Sequence, residues 1–250
     1  MIIHSYENSA RADSCIDYVR ASDKVTSIQR LILLPIPSTR DKCTILNTNI
    51  YINSLKEWVC DGDFICGYGL PADFTESVTR SGALVLDLCL DEKFLLENSY
   101  LTALCTLGII LNTENKAPCD LSVGIVGYGR IGARLTELLL YLGVDVSVYT
   151  TRRSIRNELC ECGVSSVSDS QREFCDKLDI LINTAPAQIF SSDDLSPDLR
   201  VIDLASGENF ATDVGVEKYP SVPAKMFPVS SGRAWGRAIE RFLLNKHNGG

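Results

Sequence analysis

Histidine is scarce in this chain, with two residues among 250, His4 and His247, one near each end. A Ser-His-Asp hydrolase needs a histidine held between a nucleophile and a carboxylate. A histidine-based metal site needs several ligands close together. Two histidines at opposite ends of the sequence support neither arrangement. We therefore expect no hydrolytic triad and no metal ion.

Basic charge and long apolar runs are also missing. The chain has 24 Lys and Arg against 32 Asp and Glu, a net charge of −8. Nucleic-acid surfaces need basic patches, so we expect no nucleic-acid partner. The longest apolar stretch, residues 101–111, is interrupted by Thr106 and Gly108 and is shorter than the roughly 18 residues of a membrane span. Residues 1–13 do not have the pattern of a secretory signal. These observations predict a cytoplasmic location without membrane contact.

Cysteine is abundant, with ten residues, but no C-x-x-C pair occurs. Cys160 and Cys162 are separated by one residue, which is too close for the usual zinc site. We therefore expect most of the cysteines to be reduced and buried as small hydrophobic side chains.

A polar stretch at residues 112–118 divides the chain into two α/β parts. The sequence predicts an N-terminal α/β domain over residues 1–113, ending in a long bridging helix near 91–111. Residues 114–250 are predicted to form a second domain whose C-terminal helix packs back. The first 30 residues give no clear prediction. Short apolar runs predict buried strands in the first domain at 31–35, 63–66 and 83–86.

Strand and helix patterns alternate in the second part, which favours a parallel sheet. The predicted fold class is α/β, with a Rossmann doubly wound parallel sheet beside a smaller N-terminal α/β domain. The predicted strands cover 122–126, 145–149, 179–182 and 200–204, and the predicted helices cover 130–142 and 232–245.

A glycine-rich loop lies between the first strand and the first helix of the second part, and matches G-x-G-x-x-G. Gly127 would permit a tight turn, Gly129 would let the backbone approach a pyrophosphate, and Gly132 would let the helix pack against the strand. The free N–H groups of the helix N-terminus would then bind the anion. The alternative is a glycine turn without a ligand. The predicted cofactor-binding residues here are Gly127, Tyr128, Gly129, Arg130, Ile131 and Gly132.

The end of the next strand bears on the choice of cofactor. NAD-binding Rossmann proteins usually carry Asp or Glu there for the ribose 2′-hydroxyl. This chain has Thr150, Thr151, Arg152 and Arg153 instead. Guanidiniums and hydroxyls can bind a 2′-phosphate, so NADP(H) is favoured over NAD(H). The alternative is that the arginines are a solvated helix start.

Two later strand ends also carry polar residues, and ligands bind at the carboxyl ends of strands in such sheets. Asn183, Thr184, Ala185 and Pro186 follow one strand and are predicted to line the cofactor riboses. Ala205 and Ser206 follow the next and are predicted near the nicotinamide. Ordinary loop starts remain the alternative for both.

Five motifs in order resemble those of the dipicolinate synthase A-subunit family, which is related to the D-2-hydroxyacid dehydrogenases. They are residues 33–41, 98–103, 124–132, 182–186 and 201–206. The resemblance spans about residues 30–245. It implies a cytoplasmic NADP(H)-binding oxidoreductase with a Rossmann domain beside an N-terminal α/β domain. It also implies a partner, a flavoprotein-like B subunit, with which a small-molecule dihydrodipicolinate precursor is converted to dipicolinate during endospore formation. Whether the chain forms a homo-oligomer stays open.

The chain departs from this family at several positions. The family's extra N-terminal strand with its Gly-Gly-Asp turn is absent from the sequence pattern. A family glutamate is replaced within residues 102–105, and a C-terminal loop is altered over 228–236. The chain is therefore a shortened, diverged relative, and these changes lie near the substrate end of the expected cleft.

Four residues are candidates for the substrate side. Arg40 would anchor a substrate carboxylate bidentately, and Asp41, Thr102 and Arg233 would complete the catalytic set. The alternative for Arg40 and Asp41 is a surface ion pair.

Three functions stay open: an oxidoreductase of dipicolinate-synthase type, a diverged non-catalytic NAD(P)-binding protein or partner subunit, and another small-molecule dehydrogenase. Standard hydroxyacid dehydrogenase chemistry is disfavoured because its acid/base is nearly always a histidine.

Overall fold

The chain folds into two α/β units, described here from a computed structural model. The structure describes residues 1–25, 28–167, 170–210 and 215–248, without the side chains of residues 167, 247 and 248. The expectation for the side chain of His247 therefore lies outside the described part. Unit 1 comprises Met1–Asn98 and the segment from Pro223 onward, and unit 2 comprises Ser99–Val222.

Ten strands and eight α-helices make up the described part of the chain. The strands are β1 (Ile2–Ser5), β2 (Arg30–Leu33), β3 (Phe64–Gly67), β4 (Leu84–Asp87), β5 (Ser122–Val126), β6 (Asp145–Tyr149), β7 (Ser165–Val167), β8 (Ile180–Asn183), β9 (Arg200–Asp203) and β10 (Val216–Lys218). The helices are α1 (Ala10–Ala21), α2 (Ala72–Arg80), α3 (Glu92–Thr113), α4 (Arg130–Tyr141), α5 (Arg153–Glu161), α6 (Gln171–Cys175), α7 (Val222–Met226) and α8 (Pro228–Asn248).

Unit 1 is built on a four-stranded parallel sheet in the order β1-β2-β3-β4. Its central strands, β2 and β3, are apolar on both faces because both faces are covered. Leu31 and Leu33 contribute to one hydrophobic cluster, together with residues of α1 and α8. Ile32 and Leu34 contribute to the opposite cluster, together with residues of α2. The continuous apolar run in the sequence is thus explained by a two-sided sheet.

Close packing of α1 and α8 places the last helix in unit 1. A Cβ atom on Gly232 would lie 2.6 Å from the Cβ of Ser14, and one on Gly236 would lie 2.5 Å from Cδ1 of the Tyr18 ring. Only glycine allows so close an approach of the two helices. The indole N–H of Trp235 also donates to the Sγ of Cys66, at 3.0 Å, on β3.

Unit 2 is built on a six-stranded parallel sheet in the order β10-β9-β8-β5-β6-β7. This is the strand order of a Rossmann sheet, in which the chain direction across the sheet reverses between its first and fourth strands. Here these strands are β5 and β8, which pair from Val123↔Ile180 to Val126↔Asn183. The crevice beyond their carboxyl ends is where such sheets bind ligands.

The predicted fold class is confirmed, and most predicted elements differ from the observed ones by a few residues. The predicted domains of 1–113 and 114–250 differ from the compact units in two places. The unit boundary falls within α3, after Asn98, because the later part of this helix packs in the core of unit 2. The C-terminal helix belongs to unit 1 because it packs along α1.

The first 30 residues, which gave no clear prediction, contain β1 and α1. The expected lack of an extra N-terminal strand is wrong, since β1 pairs in parallel with β2 from Ile2↔Arg30 to Ser5↔Leu33. The sequence pattern missed it because its apolar run ends at Ile3 and is followed by His4 and Ser5, so it is too short to indicate a buried strand.

All ten cysteines are free, but most of them are not buried. Five are exposed and four are buried, with Cys89 in between. The expectation that most serve as buried hydrophobic side chains is therefore wrong. It holds for the four in the interior, Cys15, Cys66, Cys105 and Cys175.

Among the residues that the structure describes, one helix, α3, is long and apolar enough to cross a bilayer when judged by length and composition alone. Its 18-residue window has a mean hydropathy of 1.6, and 44% of that window is buried inside the protein. Ala103, Cys105, Ile109 and Ile110 pack in the core of unit 2. A core helix of a globular protein has these same properties.

Candidate functional site

A cavity of about 300 Å³ lies at the carboxyl ends of β5, β6 and β8 in unit 2. This is the crevice where the chain reverses direction across the sheet, the usual ligand position in doubly wound folds. Its lining comes from three strand-to-helix loops that are far apart in sequence. The lining residues are Gly127, Tyr128, Gly129, Tyr149, Thr150, Thr151, Arg152, Thr184, Ala185, Pro186 and Ile189.

The glycine loop is held tightly against its neighbouring strands. Gly127 has φ +88°, a conformation that favours glycine, and its N–H donates to the carbonyl oxygen of Tyr149 at 2.9 Å. Thr184 Oγ1 donates to the carbonyl oxygen of Val126, also at 2.9 Å. A Cβ on Gly132 would collide with the carbonyl oxygen of Gly127 and lie 3.2 Å from Thr184 Oγ1. Gly127 and Gly132 therefore have the turn and packing roles expected of them.

Gly129 has a different environment, since a Cβ placed on it would meet no atom within 4 Å. It is the N-cap of α4, which has no side-chain cap and no acidic residue in its first turn. Amide N–H groups at an uncapped helix N-terminus favour an anion. The open space beside Gly129 is thus suited to a pyrophosphate.

The end of β6 presents one cation, Arg152, and the hydroxyls of Tyr149, Thr150 and Thr151 to the cavity. Thr150 is buried, and its Oγ1 accepts the backbone N–H of Arg152 at 3.3 Å. The Arg152 guanidinium donates to the carbonyl oxygen of Tyr128 across the glycine loop. No Asp or Glu is among the lining residues. Burial raises the pKa of the Tyr128 phenol, which keeps this lining residue neutral.

A buried carboxylate, Asp203, joins the loops that follow β8 and β9. It accepts the side-chain amides of Asn183 at 2.8 Å and Asn209 at 3.2 Å, and the backbone N–H of Ala205 at 3.1 Å. The Asn183 amide also donates to the carbonyl oxygen of Ala185, at 3.0 Å. Asn183 therefore shapes the loop that lines the cavity, while its side chain is engaged within the protein.

Replacing Asp203 with Ala is expected to lower the free energy of unfolding by roughly 2–4 kcal/mol, since buried amide donors lose their acceptor. Chemical denaturation monitored by circular dichroism measures this. Asp198→Ala is the matched control, because Asp198 is exposed in the loop before β9. Equal stabilities of the two variants would contradict the anchoring role of Asp203.

The other predicted cofactor residues do not line the cavity. Arg130, Ile131 and Gly132 lie in the first turn of α4, and Arg153 is exposed at the start of α5. Ala205 and Ser206 follow β9, where Ser206 is exposed. Their roles as cofactor contacts stay predictions.

The sequence analysis missed Tyr149 and Ile189 in the lining, and also Asn209 and Arg156. The Arg156 guanidinium donates to the carbonyl oxygen of Thr150 at 2.9 Å. Arg156 lies four residues after Arg152, and this spacing makes two residues neighbours on a helix surface. The spacing could therefore have indicated that Arg156 lies near the end of β6 as well. Nothing in the local sequence pointed to Asn209.

The four substrate-side candidates are divided between the units. Arg40, Asp41 and Arg233 belong to unit 1, and Thr102 belongs to unit 2. Arg40 and Arg233 are exposed, while Thr102 is buried within α3. The Asp41 carboxylate accepts the backbone N–H groups of Thr44 at 2.7 Å and Cys43 at 2.9 Å, which holds its pKa below the usual range. Asp41 thus closes a turn, and its catalytic role stays a prediction with those of the other three.

No cluster of three or more His, Cys, Asp or Glu side chains with the geometry of a metal site occurs among the residues that the structure describes. The cavity presents loop backbone, hydroxyls and the guanidinium of Arg152 to a ligand.

Comparison with known proteins agrees with this geometry. Residues 112–196 match the family model of the D-isomer specific 2-hydroxyacid dehydrogenase, NAD binding domain. No curated protein sequence matches the chain.

Three solved structures illustrate the likeness. The dipicolinate synthase A-subunit from Bacillus halodurans has a TM-score of 0.77 at 16% identity, covering 96% of this chain and 97% of that one. The A chain of the Bacillus subtilis dipicolinate synthase has a TM-score of 0.78 at 17% identity, covering 100% and 96%. The NAD complex of a D-isomer specific 2-hydroxyacid dehydrogenase from Lactobacillus delbrueckii ssp. bulgaricus has 0.57 at 12%, covering 100% and 97%.

The family match covers the glycine loop, the end of β6 and the loop after β8, which together form the cavity. The chain therefore has the fold shared by the D-2-hydroxyacid dehydrogenases and the dipicolinate synthase A-subunit, and carries an NAD(P)-binding domain within unit 2.

Proposed function

We propose that this protein is an NADP(H)-dependent oxidoreductase that acts on a dihydrodipicolinate-like dicarboxylate. The choice of NADP(H) as cofactor is supported by the cavity at the ends of β5, β6 and β8. This cavity has no carboxylate in its lining and a guanidinium at its edge. An Asp or Glu at the end of β6 would repel a 2′-phosphate, whereas Arg152 and the Thr151 hydroxyl attract one.

The residues present are compatible with a dinucleotide. The pyrophosphate would lie beside Gly129, where space is open and the first turn of α4 has no side-chain cap. The volume of about 300 Å³ is at the lower end for ligand pockets. We therefore assign this cavity to the pyrophosphate and adenosine half of the cofactor. When bound, the cofactor would supply hydride transfer.

The substrate class is proposed from the names of the structural relatives, together with the exposed arginines of unit 1. Arg40 is exposed and has no salt bridge among the described residues. Its guanidinium can bind a carboxylate bidentately. The turn closed by Asp41 would present Arg40 to the substrate, and the roles of Arg233 and Thr102 stay predictions. A flavoprotein-like B subunit is the proposed partner.

Oxidation of a dihydrodipicolinate-like substrate would transfer one hydride to NADP⁺, release one proton and leave an aromatic dicarboxylate. The assay incubates the protein with dihydrodipicolinate and NADP⁺, with and without a flavoprotein-like B subunit, and follows the absorbance of reduced nicotinamide. We expect NADPH to form. No change in absorbance under either condition would contradict the substrate proposal.

Arg40→Gln is expected to lower kcat/KM by about tenfold or more, since a bidentate contact with the substrate is lost. NADPH affinity should stay unchanged. Arg80→Gln is the matched control, because Arg80 is exposed and paired with Glu76 on α2. Equal kcat/KM values for the two variants would contradict the role of Arg40.

A second candidate is a non-catalytic NADP(H)-binding protein or partner subunit. The carboxylate of Asp41 is engaged by the backbone of its own turn, which favours a structural role for that residue. NADPH binding without turnover of any dicarboxylate would support this second candidate.

A further inference from the structure

A second cavity, of about 370 Å³, lies beside β4 in unit 1. Its lining comes from the end of β4, from the turn between β4 and α3, and from the last turns of α8. All of these residues belong to unit 1, whereas the nucleotide cavity belongs to unit 2. The volume is within the range of small-molecule sites. We call this space the β4 cavity.

The walls of the β4 cavity are largely apolar. Val85 comes from the strand, and Phe242 comes from α8. Leu90 also lines the cavity, although it is 83% exposed, so most of its side chain is left to contact a ligand. Removing such apolar surface from water favours binding. The cavity is therefore suited to a ligand with an apolar group.

Backbone hydrogen-bonding groups are also directed to this side of β4. The strand is at the edge of its sheet, and within the described part of the chain it pairs with β3 alone. The N–H of Leu84 donates to the carbonyl oxygen of Asp63, at 2.8 Å, on the β3 side. Alternate residues of a parallel strand bond to opposite sides, so the N–H and C=O of Val85 point to the open edge. An open edge can pair with an amide of an extended ligand.

The charged groups of the lining differ in how far they are engaged. The Asp87 carboxylate accepts three backbone N–H groups, at 2.8, 2.8 and 3.1 Å. Asp91 accepts the guanidinium of Arg241 at 3.2 Å. Lys93 is exposed and has no salt bridge among the described residues, unlike Lys24 and others that are paired. The three N–H donors of its ammonium therefore remain for an anionic group.

We propose that the β4 cavity binds an N-acylated apolar amino acid. The apolar side chain would lie among Val85, Leu90 and Phe242, the amide would pair with the Val85 backbone, and the carboxylate would contact Lys93. This chemistry has two sources, a free acylated amino acid and the carboxyl-terminal residue of a peptide. The inference goes beyond the proposed function and depends on unit 1 alone.

The test measures ligand binding to the whole protein by isothermal titration, with N-acetylphenylalanine as reference ligand. Each of three analogues lacks one feature: N-acetylphenylalaninamide has no charge, phenylpropionate has no amide, and N-acetylglycine has no apolar side chain. Each should bind about tenfold more weakly than the reference. The tripeptide N-acetyl-Ala-Ala-Phe separates the sources. Tighter binding than the reference indicates a peptide terminus, and equal or weaker binding indicates the free acylated amino acid.

Substitutions locate the binding site. Lys93→Gln should remove the preference for the acid over the amide, a change of about tenfold, whereas Lys93→Arg should keep it. Lys225→Gln is the matched control, because Lys225 is exposed on α7 in the same unit and does not line the cavity. Leu90→Ser should weaken the reference ligand by about threefold without changing the melting temperature, since Leu90 is exposed.

Several results would overturn the inference. No binding of N-acetylphenylalanine at about 1 mM, which corresponds to roughly −4.1 kcal/mol, would do so, as would equal affinities for the acid and its amide. A preference for the acid that survives in Lys93→Gln would place the carboxylate elsewhere. Phenylpropionate binding as tightly as the reference would remove the contact with the strand edge. If Lys93→Gln fails to fold in a thermal melt, the comparison of ligands on the wild type and Leu90→Ser decides the matter.

Discussion

Replacing Gly132 with Val should unfold the nucleotide-binding loop. The added Cβ would collide with the carbonyl oxygen of Gly127, a backbone atom that cannot move aside as a side-chain end can. Overpacking in a tightly packed region costs about 1–3 kcal/mol and occasionally more. We expect a loss of at least that size from the free energy of unfolding, together with loss of dinucleotide binding. Chemical denaturation and a binding titration on the same variant check both parts.

The control for this substitution is Gly129→Ala in the same loop. Its Cβ would meet no atom within 4 Å, so the expected loss in the free energy of unfolding is only the roughly 0.5–1 kcal/mol of weaker capping by Ala at this N-cap. If Gly132→Val were as stable as Gly129→Ala, the close approach of α4 to the glycine loop would be contradicted.

Replacing Gly129 with Asp is expected to separate binding from stability. Asp is a preferred N-cap residue, so the first turn of α4 should be at least as stable as with glycine. Its carboxylate would occupy the space that we assign to the pyrophosphate and would repel that group. We expect dinucleotide affinity to fall by about 100-fold or more, which is roughly 2.7 kcal/mol, while the melting temperature stays the same or rises.

The control for Gly129→Asp is Gly129→Ser, since Ser is also a preferred N-cap but carries no charge. Its affinity should lie between those of Gly129→Asp and the wild type. Full binding by Gly129→Asp would contradict the position of the pyrophosphate at this helix N-terminus.

The nucleotide-binding half of unit 2 was predictable because its main features are formed by residues that are close together in the sequence. A buried strand, three glycines at fixed spacing and an amphipathic helix follow each other within a short segment around Gly127, Gly129 and Gly132. Each glycine has an environment in the structure that agrees with its expected task. The residues after β6 and β8 were also predictable, because carboxyl ends of parallel strands meet at one edge of a sheet.

Other features depend on contacts between distant segments, which local patterns do not encode. The strand β1 is mostly exposed, and its apolar run, which ends at Ile3, is too short to indicate a buried strand. The packing of α8 on α1 depends on Gly232 and Gly236 meeting Ser14 and Tyr18 from the other end of the chain. Asn209 joins the site through contacts of its side-chain amide with the buried carboxylate of Asp203 and the carbonyl oxygen of Ser206.

The central claim is that the cavity at the ends of β5, β6 and β8 binds NADP(H). The most direct test is a fluorescence titration of the purified wild-type protein with NADPH and, separately, with NADH. Saturable binding is expected for both, with NADPH bound more tightly by about tenfold or more because the proposed contact with the Arg152 guanidinium is available only to its 2′-phosphate. Tighter binding of NADH would contradict the choice of cofactor, and binding of neither nucleotide would contradict the central claim itself.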